Sequence, residues 1–210
     1  LRARRAIVAL PPALAGRIDY DPPLPGARDQ LTQRMPMGSV IKCMAIYDEP
    51  FWREQGLSGQ ATSLPGPTQV IFDNTPPNGA PGVILGFLEA RDARALGALP
   101  EAERRAAVIG TFERLFGPRA GKPRDYVEKD WSAEPYSRGC YAGVFGPGAW
   151  TGYGRALREP VRRIHWAGTE TATRWMGYFD GAVQSGRRAA AEVVRAEGAA
   201  EAARRAEVAS

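Results

Sequence analysis

A short apolar strand that runs into a glycine-containing turn and then into a helix constrains this chain more than any other feature. Residues 164–167 predict the strand, and Gly168, Thr169 and Glu170 follow it directly. From Tyr178 onward, apolar residues at helical spacing predict a long helix with one apolar stripe. The start of such a helix presents unpaired N–H groups and a positive dipole, so this turn is a candidate binding site for an electron-rich group.

The rest of the chain also mixes strands and helices. An amphipathic helix is predicted at residues 100–116, because Ile109, Phe112 and Phe116 fall on one face before Gly117-Pro118 ends the pattern. Apolar runs predict further strands at residues 6–10, 39–47, 70–72 and 83–88. The predicted fold class is therefore α/β, with mixed α and β elements.

Composition sets the class of protein. The 210 residues suit one domain or one and a half, and 44% hydrophobic with 24% charged residues is typical of a globular chain with a core. No apolar run approaches the roughly 20 residues of a membrane helix, so no membrane anchor is expected. Two cysteines make no disulfide framework, and no signal peptide is recognisable, so we expect a cytoplasmic location.

Charge and residue inventory exclude several functions. The net charge of +5 does not predict nucleic-acid binding, because the arginines near the C-terminus alternate with glutamates as on a solvated helix face. No metal site is expected, because the chain has no Cys-x-x-Cys pair and a single histidine, His165. That histidine lies in an apolar strand and is interpreted as a strand residue.

Three motifs carry a family resemblance. They are Ser-Arg-Gly-Cys-Tyr at 137–141, Pro-Met-Gly-Ser-Val-Ile-Lys-Cys at 36–43, and the long run from 163 to 183. Together they resemble the C-terminal half of the flavin-containing monoamine oxidases, and the match extends over nearly the whole chain. The resemblance implies interleaved domains: residues 1–15 and 125–210 in an FAD domain, the latter with a long final helix, and 16–124 in a mixed-sheet substrate domain.

The same resemblance implies roles for four residues. Cys140 would carry FAD covalently as a thioether. Tyr141 and Tyr178 would stand on either side of the amine as it approaches the flavin, since aromatic faces attract neutral or cationic amines. Lys42 would hold a water near the flavin N5 atom and assist the reaction with oxygen, and its place in an apolar strand is otherwise costly.

Further residues are implied to contact the cofactor. Trp131 is a candidate flavin-side aromatic, although a packed core tryptophan would explain it equally well. The glycine turn and the start of the final helix would stabilise the anionic reduced ring. The implied cofactor-binding set beside Cys140 is Trp131, Gly168, Thr169, Glu170, Gly177 and Phe179.

The implied activity is oxidative deamination of a primary amine with O2 to an aldehyde, ammonia and H2O2. A polyamine or amino-acid oxidase of the same superfamily is one alternative, and a catalytically inactive fragment is another. The Gly-x-Gly-x-x-Gly fingerprint of dinucleotide binding is absent from the sequence. We therefore expect the chain alone to be inactive. The expected partners are a small-molecule amine and O2, with the missing N-terminal half or a second copy as candidate protein partners.

Overall fold

A computed structural model describes residues 2–209, with side chains up to residue 207. It confirms the α/β fold class, since parallel and antiparallel strand pairs alternate with helices along the chain. In chain order the elements are β1 (Ala6–Val8), α1 (Pro12–Ala15), α2 (Gly26–Gln33), β2 (Val40–Tyr47), β3 (Ala61–Thr62), β4 (Thr68–Asp73), β5 (Gly82–Glu89), α3 (Ala90–Gly97), α4 (Glu101–Phe116), β6 (Asp125–Asp130), α5 (Ala149–Tyr153), β7 (Ile164–Trp166) and α6 (Phe179–Ala209).

The chain divides into two compact units. One is continuous, from Gly38 to Cys140, and is here called the inserted unit. The other combines the residues up to Met37 with those from Tyr141 onward, and is here called the discontinuous unit. The chain therefore crosses between the units twice. The assignment of an FAD domain and a substrate domain to particular residues stays a prediction.

The inserted unit is built on a five-stranded antiparallel sheet with strand order β3-β4-β5-β2-β6. Side chains along β2 alternate: Ile41 and Cys43 are buried, while Lys42 between them is only half-buried on the opposite face. The buried face packs against α4, whose Phe112 lies in the same core. Phe112 approaches β5 at Gly86, where an added Cβ would come within 2.8 Å of its ring. The period-2 pattern of β2 thus directs Lys42 away from the α4 core.

The discontinuous unit joins the two ends of the chain. β1 pairs in parallel with β7, with Ile7 opposite His165, and β7 leads through a short 3-10 turn at Thr169–Thr171 towards α6. This is the strand–turn–helix order that the sequence predicts. The turn is thereby placed between the sheet and the first residues of the long helix.

Candidate functional site

Lys42 lies between two aromatic rings of the inserted unit. Its Nζ is 5.6 Å from the ring centroid of Phe87, the residue directly opposite it on β5, and 5.9 Å from that of Trp131. Trp131 follows β6, and its backbone N–H donates to the carbonyl of Val40 at 3.2 Å. Distances of this size allow cation–π attraction, which helps hold the ammonium group on the less buried face of β2.

Trp131 leaves one hydrogen-bond donor unused. Its Nε1 is buried and has no hydrogen-bond partner within residues 2–209. Buried polar groups in native proteins are nearly always paired, so an orphaned donor marks a point where a ligand or water can bind. An acceptor atom of a bound ring would satisfy this donor beside Lys42. The residues present therefore fit a cofactor with acceptor atoms.

Cys140 ends a sharply turned loop in the same unit. Arg138 and Gly139 both have positive φ, at 55° and 144°, and Cys140 N then donates to the carbonyl of Gly38 at 2.9 Å. Burial raises the pKa of the Cys140 thiol above its usual value, while the ammonium group of Lys42 acts to lower it. The positive charge of Lys42 therefore favours the thiolate form of Cys140 against the effect of burial.

The turn after β7 is tied to the loop before α6 by one hydroxyl. Thr169 Oγ1 accepts a hydrogen bond from the N–H of Gly177 at 2.8 Å and donates to the carbonyl of Tyr178 at 2.9 Å. Gly168, at φ 106°, has an N–H that donates to Ser185 Oγ on α6 at 3.1 Å. These bonds fix the turn against the start of the helix.

Glu170 extends the same turn towards Tyr141. The residue is 3% exposed, and its Oε1 accepts the N–H of Gly143 at 3.0 Å. Gly143 forms an antiparallel bridge with Met37, and the next N–H, of Val144, donates to the carbonyl of Pro36 at 2.8 Å. The segment that follows Tyr141 is therefore held from two sides of the discontinuous unit.

Aromatic side chains are exposed around the start of α6. Trp175 and Tyr178 meet edge to face, with ring centroids 6.0 Å apart and an interplanar angle of 86°. Phe179 is 92% exposed. At Gly181 an added Cβ would lie 2.2 Å from the carbonyl oxygen of Trp175, so only glycine allows this close approach. Sequence reasoning missed Trp175 as a site residue, although it lies in the same run as Tyr178.

Other kinds of site are not found in the described part of the chain. No group of three His, Cys, Asp or Glu side chains there is placed to hold a metal ion. None of the helices within residues 2–209 is long and apolar enough to cross a bilayer. His165 is buried in β7, with Nδ1 3.1 Å from Glu192 Oε2 on α6, as suits a strand residue.

The predicted site residues fall into two groups, one in each unit, and their roles remain predictions. The inserted unit brings together Lys42, Trp131 and Cys140, with Phe87 as a contact that the sequence did not suggest. Strand register reveals Phe87, because it pairs directly with Lys42. The discontinuous unit links the remaining predicted residues: Tyr141, Gly168, Thr169, Glu170, Gly177, Tyr178 and Phe179.

Comparisons with known proteins agree on one family. A family model described as flavin containing amine oxidoreductase matches residues 1–194. A probable flavin-containing monoamine oxidase A of Dictyostelium discoideum is 49% identical over 192 residues, which are 91% of this chain and 42% of that protein. An L-amino acid dehydrogenase of Synechocystis is 47% identical over 189 residues, which are 90% of this chain and 40% of that protein.

A solved structure gives the same result. Wild-type putrescine oxidase bound to putrescine superposes with a TM-score of 0.89 at 39% identity, covering 92% of this chain and 43% of that one. The chain thus spans between 40% and 43% of the length of these three relatives. Sequence motifs, fold and comparisons together show that this chain belongs to the flavin-containing amine oxidase family.

Proposed function

We propose that this chain supplies catalytic and flavin-binding residues of an FAD-dependent oxidase. The enzyme would deaminate a primary amine with O2 to an aldehyde, ammonia and H2O2. The observation that carries the proposal is the gathering of Lys42, Trp131 and Cys140 in one unit of a chain from this family. When bound, the flavin supplies the acceptor for a hydride from the carbon that bears the amine. The residues of the chain orient that acceptor and the amine.

Lys42 provides the charge for the oxygen half of the reaction. Its ammonium group, between the rings of Phe87 and Trp131, would hold a water molecule and stabilise negative charge as O2 is reduced. Trp131 Nε1 supports this role, because its unused donor offers a hydrogen bond to an acceptor on a bound ring. A fixed positive charge acts strongly where water is excluded, since the dielectric is low there.

Cys140 is proposed as the covalent attachment point. A thioether would join its Sγ to a carbon of the flavin with loss of one hydrogen from each, and O2 would take up the two electrons and two protons as H2O2. The thiolate is the nucleophilic form, and burial disfavours it by raising the pKa of Cys140. Lys42 opposes that effect and so favours the attachment.

The discontinuous unit supplies the aromatic and helix-start groups. Tyr141 and Tyr178, 54% and 66% exposed, would present their ring faces to the amine. The start of α6 and the turn at Gly168 would direct N–H groups and the positive helix end towards the electron-rich side of the flavin ring. Trp175 packs on Tyr178 and would limit its movement.

A polyamine or amino-acid oxidase is the second candidate function. Two relatives favour it by their names, putrescine oxidase and L-amino acid dehydrogenase. An amino-acid substrate needs a cation for its carboxylate, and no arginine stands out in the sequence for that task. Comparing benzylamine, putrescine and an L-amino acid as substrates of the flavin-loaded protein separates the two candidates.

The covalent link gives the most direct test. The flavin-loaded protein that carries this chain is denatured in acid, run on a gel and viewed under ultraviolet light. We expect flavin fluorescence to stay with the protein band in the wild type and in Cys43→Ala, the matched control at the other cysteine. Cys140→Ala should lose it. Fluorescence that leaves the wild-type band, or stays with Cys140→Ala, contradicts the attachment.

The chain alone is expected to hold flavin weakly. The phosphate-binding fingerprint is not in its sequence, and the aromatic residues at the start of α6 are exposed, with Trp175 at 66%. The test is to express the 210 residues, add FAD and record the visible spectrum after gel filtration. A yellow monomer that releases H2O2 from benzylamine would show that these residues suffice.

A further inference from the structure

We infer that Thr169 and Glu170 are positioning residues that hold the two tyrosine-bearing segments to one turn. Thr169 binds the backbone of Gly177 and Tyr178, and Glu170 binds the N–H of Gly143, two residues after Tyr141. Both segments are thereby fixed to consecutive residues of a single 3-10 turn. The hydrogen bonds of Thr169 to Gly177 and Tyr178, and the hydrogen bond of Glu170 to Gly143, are here called the two ties. The inference rests on the proposed function in one respect only, namely that the two tyrosines receive the amine.

Hydrogen bonds from other parts of the discontinuous unit hold the 3-10 turn in place. The N–H of Thr171 donates to the carbonyl of Gly168 at 2.9 Å. Arg188 on α6 donates to Thr171 Oγ1 at 3.0 Å, and Arg158 donates to the carbonyl of Thr171 at 2.8 Å. Ser185, also on α6, accepts the N–H of Gly168. Two arginines and a residue of α6 thus hold Gly168 and Thr171, which flank Thr169 and Glu170 in the turn.

Glu170 makes the stronger tie. A carboxylate that accepts an N–H bond forms a charge-assisted hydrogen bond, roughly twice as strong as a neutral one. Burial of Glu170 to 3% exposure keeps water from replacing Gly143 as a partner. The other anchors of this segment, at Pro36 and Met37, come from the N-terminal part of the chain. The hydrogen bond from Gly143 to Glu170 therefore connects the segment that follows Tyr141 to the turn.

Thr169 holds a loop that would otherwise relax. Trp175 and Gly177 both have positive φ, at 55° and 88°. A tryptophan in the left-handed region is costly, so the surrounding bonds must maintain it. Thr169 Oγ1 uses both its donor and its acceptor capacity on this loop, at Tyr178 and Gly177. Loss of the hydroxyl would free the backbone that carries Tyr178.

Hydrogen exchange of the full chain tests the ties without any activity measurement. In Glu170→Leu, the amide of Gly143 should exchange about tenfold faster, while that of Gly177 keeps its wild-type rate. Thr169→Val should show the reverse pattern. Thr169→Ser keeps the hydroxyl, so its exchange rates should stay near wild type. Glu170→Gln keeps an acceptor but loses the charge, so Gly143 should exchange faster than in wild type and more slowly than in Glu170→Leu. Unchanged exchange in Glu170→Leu and Thr169→Val would overturn the inference.

Steady-state kinetics of the flavin-loaded protein give the functional arm. Thr169→Val and Glu170→Leu should raise KM for the amine about tenfold in the fraction of protein that holds flavin, and Thr169→Ser should restore it. Thr62→Val and Glu201→Ala, both on exposed surfaces, serve as controls. A wild-type KM in the flavin-holding fraction of both variants would limit the two residues to cofactor binding and overturn the inference. Wild-type protein without amine oxidation would refute the proposed function, while hydrogen exchange still decides the ties.

Discussion

The thiol of Cys140 and the ammonium group of Lys42 are electrostatically coupled within the inserted unit. Burial raises the pKa of the thiol, and the positive charge of Lys42 lowers it in part. The two residues come from distant parts of the sequence, one in β2 and one at the end of the unit. From this coupling we expect the reactivity of Cys140 to depend on Lys42.

Lys42→Met should therefore make Cys140 less reactive. Without the ammonium group only burial acts, so the pKa of the thiol rises further and less thiolate is present near neutral pH. We expect alkylation of Cys140 by iodoacetamide at pH about 8 to slow about threefold, because less of the thiol is ionised. The rate is measured on the full chain by mass spectrometry. Lys122→Met, at an exposed position, is the control, and equal rates in Lys42→Met and wild type would refute the coupling.

Asp73 should stabilise the inserted unit above pH about 4 and lose that effect in acid. Burial would raise the pKa of Asp73, but hydrogen bonds from Thr75, Arg53 and Trp52 outweigh it and lower the pKa to about 2. Trp52 Nε1 and Arg53 Nη2 donate to Asp73 Oδ2 at 3.0 and 2.7 Å. A folded-state pKa below the unfolded value of 3.8 means that stability is lost as pH falls through this window.

Asp73→Asn tests this effect. At neutral pH the free energy of unfolding should fall by about 1–2 kcal/mol, after allowance for solvent screening at the partly exposed Arg53. The difference from wild type should disappear as pH falls towards about 2. Urea unfolding across this range measures it. Asp48→Asn, which removes an exposed ion pair with Arg124, should change little, and a pH-independent loss in Asp73→Asn would contradict the assignment.

Arg28 should stabilise the discontinuous unit through the planar shape of its guanidinium group as well as through its charge. Its guanidinium carbon lies 3.6 Å from the ring centroid of Trp166, and its Nη1 donates to the carbonyls of Ala156 and Leu157 at 2.9 and 3.1 Å. Burial lowers the pKa of Arg28 to about 10, so it stays charged at neutral pH. A flat guanidinium can stack on the indole and still donate at its edge.

Arg28→Lys should lower the free energy of unfolding by about 2–3 kcal/mol, because an ammonium group cannot stack flat on Trp166. Thermal and urea unfolding measure the loss. Arg187→Lys, on the exposed face of α6, is the matched control and should stay within about 0.5 kcal/mol of wild type. Equal stability of the Arg28→Lys and Arg187→Lys variants would show that charge alone matters at position 28.

Local patterns account for the elements that could be predicted. The apolar stretch around β2, the amphipathic α4 with Phe112 and Phe116, and the strand that leads into Gly168 all lie where the sequence indicates. Each depends on periodicity or turn residues within a short window. The pairing of β6 with β2 leaves no such pattern, because it joins residues far apart in the chain.

The sequence motifs indicate candidate site residues by their type, but they do not indicate the hydrogen bonds between them. The motifs single out Thr169, Glu170 and Tyr178, yet they do not indicate which atoms bond. The tie from Thr169 to Gly177 depends on positive φ values at Trp175 and Gly177, and backbone angles of this kind are not readable from residue names. The tie from Glu170 to Gly143 depends on long-range placement in the same way.

Gly38 and Cys140, the first and last residues of the inserted unit, meet in a backbone hydrogen bond of 2.9 Å. A continuous unit whose ends meet can fold as soon as its own residues have left the ribosome, before the C-terminal part of the chain is available. Once it is folded, Met37 and Tyr141 are joined by a short path instead of a loop of about 100 residues, which removes about 2–3 kcal/mol of loop-closure entropy from the later pairing of β1 with β7. Folding of the inserted unit thereby lowers the entropic cost of folding the discontinuous unit.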